Sequence, residues 1–137
     1  MDDLTEMEQR VLPELEEFWE ENVFAMLNTI IDPTGDTGEV ALLQQALAGL
    51  AERDYIIMGF ESSFPRNRER LSTVASLGLI SRLHEWFRFD LEDPHWTLRK
   101  GDIKKDRVPM IYSTESGREK AFEILDQRGY QWWRQKK

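Results

Sequence analysis

Basic side chains are the residues whose spacing first suggests a chemistry. Arg66, Arg68 and Arg70 stand at alternate positions, and Arg99, Lys100, Lys104, Lys105 and Arg107 crowd a second stretch opposed only by Asp102 and Asp106. Bases on a flexible connection meet the requirement for touching phosphate, a contact that positions a protein on nucleic acid without reading its sequence. The same composition describes an ordinary solvated loop, and both readings stay open. Proton transfer is poorly provided for. The two histidines are His84 and His95, and no motif pairs either with a nucleophilic serine. His95 stands near Asp90, Glu92 and Asp93, yet this spacing matches no metal signature. With no cysteine, the chain has neither disulfide framework nor thiolate ligand or nucleophile. Gly117 and Gly129 are isolated and make no phosphate-cradling loop. The expectation is a protein that is not an enzyme and uses no metal or cofactor.

Total charge qualifies the phosphate reading. The 137 residues carry a net charge of -8, but residues 1–61 hold 15 acids and 2 bases while residues 62–137 hold 11 acids and 16 bases. An acidic protein is repelled by a polyanion overall, so a nucleic-acid contact has to be local, in the second half. Alternatively, the acidic half of one subunit faces the basic half of another.

The elements that would position these groups are read from periodicity and caps. Val108–Ser113 is rich in β-branched and aromatic residues and reads as a strand, running into a helix from Glu115 to Arg128 with Thr114 as N-cap and Gly129 as its stop. At the N-terminus, Thr5 and Glu8 form a capping box for a helix over Thr5 to about Ile30, in which Pro13 predicts a kink or a break. Its wide apolar face suits a core helix or a dimerisation helix, and its glutamates suit a solvated face or recognition of a basic partner. The turn cluster Asp32–Gly38 leads into a helix to about Arg53, then a buried strand over Tyr55–Phe60. Residues 61–83 read as helical, with Gly78 dividing the interval into one helix or two. His84–Asp90 is an aromatic strand, and Leu91–Arg107 a long connection. Tyr130, Trp132 and Trp133 precede a basic tail with Lys136 and Lys137.

This order of elements resembles a winged-helix (winged helix-turn-helix) domain, and Ile111-Tyr-Ser-Thr-Glu-Ser-Gly-Arg118 looks like the wing-to-helix junction of many bacterial winged-helix regulators, where Thr-x-x-Gly-Arg caps the following helix. The resemblance is loose over about 100 residues and close over about ten. It implies an α+β fold: a winged-helix-like core over 36–128 with a small antiparallel sheet, a long N-terminal helix in a 1–35 extension, and an aromatic and basic tail over 129–137, all in a single domain. It implies a helix-turn-helix at 61–83 and wing strands at 84–90 and 108–113. In that reading Ser72, Thr73, Ser76, Ser81 and Arg82 face the bases of duplex DNA. Arg66, Arg68, Arg70, Arg99, Lys100, Lys104, Lys105 and Arg107 meet phosphate. A homodimer is expected, with Phe18, Trp19, Met26, Trp132 and Trp133 at the seam.

The leading expectation is therefore DNA-linked transcription regulation. The alternative is a non-catalytic protein–protein interaction module on the same scaffold, with a protein partner at the acidic N-terminal helix, of the kind a phage or plasmid accessory protein provides. No apolar run approaches the roughly 18 residues a membrane span requires, and Met1-Asp2-Asp3 is acidic where a signal peptide is basic, so a cytoplasmic location is expected.

Overall fold

The computed structural model describes residues 4–63 and 65–134; the acidic Met1-Asp2-Asp3 start, Phe64 in the Ser62–Pro65 turn and the Lys136-Lys137 tail lie outside the described residues. The fold is α+β. Its elements are α1 (Glu6–Glu14), β1 (Glu20–Asn22), α2 (Val23–Ile30), α3 (Thr37–Glu52), β2 (Ile56–Ser63), β3 (Arg66–Arg70), α4 (Thr73–Ser81), β4 (Phe87–Asp90), β5 (His95–Leu98), β6 (Val108–Ser113) and α5 (Glu115–Arg128). A four-stranded antiparallel sheet runs in the order β1-β6-β2-β3, and β4 and β5 form a separate two-stranded sheet. Among the described residues no helix is long and apolar enough to cross a membrane.

The β6–α5 junction follows the sequence closely. β6 lies between β1 and β2, so Val108 to Tyr112 are all buried, which explains a near-continuous apolar run in place of alternation. Pro109 is tolerated because it precedes the first β1 partner, Met110, where β6 has a neighbour on one side only. Thr114 Oγ1 accepts from Gly117 N at 3.0 Å, and Gly129 ends α5 with φ +91°. Gly117 is required by close approach: a Cβ there would stand 2.0 Å from the Tyr55 carbonyl oxygen.

The N-terminal helix is shorter than expected. The capping box at Thr5 and Glu8 forms, but α1 ends at Glu14, one residue after Pro13, and the chain turns into β1 and then α2. Pro13 cannot donate to the Gln9 carbonyl. That carbonyl instead accepts from Trp132 Nε1 at 3.3 Å, so a tryptophan from the far end of the chain takes the hydrogen bond the proline vacates. α1 and α2 belong to the common core, which they supply with Val11, Leu12, Leu15, Phe24, Met26 and Leu27 among others. Each fully buried aliphatic of this kind contributes about 2 kcal/mol.

The interval 61–83 departs most from expectation. Its first half is a β-hairpin: β2 continues to Ser63 and β3 returns along it, so that Glu61 faces Arg68 and Gly59 faces Arg70. Only Thr73–Ser81 is α-helical, a single helix that Gly78 does not interrupt, with Ser72 as its N-cap. A helix-turn-helix over 61–83 is therefore not formed. His84–Asp90 also divides, into a 3-10 turn over Leu83–Trp86 and β4. The long connection contains β5, and it is β5 that pairs with β4; the segments expected as wing strands, 84–90 and 108–113, lie in different sheets.

Candidate functional site

Two charged surfaces hold the candidate residues. The first is the outward face of the β2–β3 hairpin with the neighbouring 99–107 loop. Alternation on β3 places Arg66, Arg68 and Arg70 on one face, together with Glu61 of β2 and Tyr112 of β6. Arg68 is held by two carboxylates, Glu61 at 3.0 Å and Glu20 of β1 at 3.2 Å. Its guanidinium and that of Arg70 lie 5.8 and 4.8 Å from the Tyr112 ring centroid. The Tyr112 hydroxyl donates to Glu61 at 2.6 Å; burial, then this hydrogen bond to a carboxylate, pushes its pKa well above the ordinary tyrosine range. Gly59 makes room for the cluster, since a Cβ there would lie 2.2 Å from the Glu69 carbonyl oxygen and 2.7 Å from the Tyr112 ring.

Of the other bases expected at phosphate, Arg107 and Arg99 have partners within the chain, as does Arg82, a residue expected to face bases. Arg107 pairs with Glu69 at 3.0 Å and lies 3.6 Å over the Phe60 ring. Arg82 pairs with Glu85 at 3.3 Å. Arg99 donates to the main-chain carbonyls of Phe87 and His84, tying the end of β5 to the start of β4. Arg66, Lys100, Lys104 and Lys105 are exposed. Asp102 and Asp106 serve the loop's own backbone: Asp102 accepts from Lys104 N and Asp106 from Asp102 N.

Of the residues expected to face bases, Ser76 is buried, whereas Ser72, Ser81 and Arg82 are exposed. Ser76 is fully buried and its hydroxyl accepts from Met58 N at 2.9 Å, bracing α4 on β2. Ser72 caps α4, Ser81 donates back to the Gly78 carbonyl, and Thr73 faces Asp54 at 3.5 Å. The expected dimer seam is corrected in the same way. Met26 is 0% exposed and Trp133 only 8%, both inside this chain's own core. Trp132 is half-buried, stacked under Arg128 at 3.2 Å and against Trp133. Phe18, at 74% exposure, and the half-buried Trp19 remain at the surface.

Those two residues belong to the second surface, which is acidic and aromatic. After α1 the chain turns through Trp19, whose φ of +61° is unusual for a bulky side chain. The turn is fixed on both sides: Trp19 N donates to Leu15 O, and Trp19 O accepts from Ser113 N. The Trp19 ring meets Phe122 of α5 edge-on at 5.4 Å, and the Arg118 guanidinium lies 5.3 Å from its centroid. Burial, then the charges of Glu21 and Glu17, raises the Glu14 pKa against the opposing pull of Arg134. Burial, then Glu17 and Glu20, raises that of Glu21 although Asn22 N donates to it. On α5, Glu119, Glu123 and Asp126 surround a shallow hollow of about 490 Å³ beside Phe122 and Leu125.

Glu39, which follows the N-cap Asp36 by three residues and so marks the start of α3, is also a positioning residue. Its carboxylate accepts from the backbone of Thr34 and Gly35, from Thr34 Oγ1 and from Trp96 Nε1, locking the 32–39 turn onto β5. Burial works to raise its pKa, but these hydrogen bonds outweigh burial and leave it lowered. His95 contacts Asp93 through the loop's own geometry, and among the described residues no group of three or more His, Asp or Glu could hold a metal ion. Compared with protein-family models, curated proteins and solved structures, the chain finds no match in any of the three.

Proposed function

We propose that this chain is a non-catalytic protein–protein interaction module. The observation that supports this reading is the partial internal neutralisation of the basic surface: Arg68 and Arg107 each face a glutamate of the same chain, while Arg99 is bonded to carbonyls. A phosphate would have to displace those partners, and the net charge of -8 opposes its approach. The acidic surface is the reverse case, with crowded carboxylates beside exposed aromatic rings. The competing reading, a DNA-associated regulatory protein, is supported by the exposed Arg66, Lys100, Lys104 and Lys105.

A pull-down from a lysate of the source organism, split with and without nuclease, separates the two. The module reading expects captured proteins that survive nuclease treatment. Capture that disappears with nuclease would overturn it in favour of nucleic acid.

A further inference from the structure

We infer that the acidic and aromatic surface around Trp19 and Phe122 is a docking site for a lysine- or arginine-rich segment that also carries apolar side chains. The inference rests on the module reading and names the chemistry of the partner. Phe18 and Phe122 are 74% and 54% exposed, beside a Trp19 turn that is hydrogen-bonded on both sides. An exposed phenylalanine beside a preformed turn and another on a helix cost little to order on binding, which is the property of an interface anchor. The hollow beside Phe122 offers Leu125 as an apolar wall and Glu119, Glu123 and Asp126 as its rim. An apolar side chain of a partner can rest against Phe122 and Leu125 on this open helix face, with its flanking bases beside the carboxylates.

Charge decides the class of occupant. Glu14, Glu17, Glu20 and Glu21 crowd the turn. Cations of the chain offset part of this charge: Lys120 reaches Glu123 on the rim at 2.8 Å, Arg68 reaches Glu20 and Arg134 acts on Glu14 at the turn, and Arg118 lies 5.3 Å from the Trp19 ring centroid. No ion pair among the described residues neutralises Glu17, Glu119 or Asp126. An acidic or neutral partner would leave these carboxylates desolvated and unpaired, whereas a basic one gains at each.

The test uses a fluorescently labelled amphipathic lysine–leucine peptide, with an oligolysine of equal charge as the comparison, titrated by anisotropy against the full chain. The wild type should bind the lysine–leucine peptide more tightly than oligolysine. F18S/F122S should weaken it by roughly tenfold or more. F18S alone, which alters only an exposed ring, and E17K should each weaken it in the same direction while leaving the melting transition in place. Equal affinity for the two peptides, equal affinity of F18S/F122S and wild type, or no binding would each overturn the inference. Self-association of the wild type that F18S/F122S abolishes would also overturn it, by making a second copy the occupant. In the lysate experiment, nuclease-resistant capture undiminished by F18S/F122S removes this surface and leaves the module reading standing. Capture lost with nuclease removes the module reading itself.

Discussion

The two charged surfaces differ in what their charges already touch. On the β2–β3 hairpin, Arg68 and Arg70 lie over Tyr112 on one face, with Arg68 paired to Glu20 and Glu61, while Arg107 lies over Phe60 and pairs with Glu69 on the other. Around Trp19 and Phe122 the carboxylates of Glu17, Glu20 and Glu21 act on one another, and Phe18 and Phe122 face solvent beside a half-buried Trp19 that Arg118 covers. A cluster of bases in a sequence is therefore weak evidence for a phosphate site until its partners are known. Arginine's apolar plane and fixed charge suit it to roofing an aromatic ring as much as to binding an anion.

The comparison can be broken by mutation. Tyr112→Ala removes a ring that is 2% exposed, the platform for Arg68 and Arg70 and the donor to Glu61; it should cost about 3–5 kcal/mol by denaturant unfolding. A cost below about 1 kcal/mol would mean the basic surface is not built into the fold. Arg68→Ala, losing two partly exposed ion pairs and a stacking contact, should cost about 1 kcal/mol, while Arg66→Ala should leave the midpoint unchanged. Phe18→Ser should stay within about 0.5 kcal/mol of wild type, because its ring is exposed.

Proton linkage gives the Trp19 turn and the 32–39 turn opposite signs. Glu14 and Glu21 have raised pKa values, so their contribution to stability is fully present below the ordinary glutamate value of 4.5 and is lost as pH rises through the raised values. Glu39 is lowered, so its contribution is present above 4.5 and is lost as pH falls. E14Q/E21Q should therefore flatten the decline in stability above pH 4.5, and Glu39→Gln should remove part of the loss on the acid side. An unchanged pH profile in E14Q/E21Q would show that burial and neighbouring carboxylates do not hold these two groups above the ordinary glutamate value.

Local signals made the β6–α5 junction legible: a β-rich run, a threonine cap and a glycine stop each act within a few residues. The Thr5 and Glu8 capping box was legible for the same reason. Strand β1 was not, since Glu20-Glu21-Asn22 contains no β-former and becomes a strand only by pairing with Met110–Tyr112. β3 contains no apolar residue, and although the alternation of Arg66, Arg68 and Arg70 has the period of a strand, the apolar spacing that follows it made the whole 61–83 interval read as helical. β5 shows the same period in burial, with Trp96 and Leu98 buried and His95 and Thr97 half-buried, inside a stretch whose prolines and charges read as loop. The surfaces were harder to read than the elements. Residue type does not reveal that Met26 and Trp133 are covered by the chain itself or that Ser76 holds the Met58 amide, because those facts come from contacts distant in sequence.

The most direct test of the central claim, that the basic surface is committed to the fold and not offered to phosphate, is an anisotropy titration of labelled duplex DNA at low salt. The account predicts no saturable binding, and no difference between the wild type and K104E/K105E. Saturable binding that falls steeply with added salt and is weakened in K104E/K105E would contradict it.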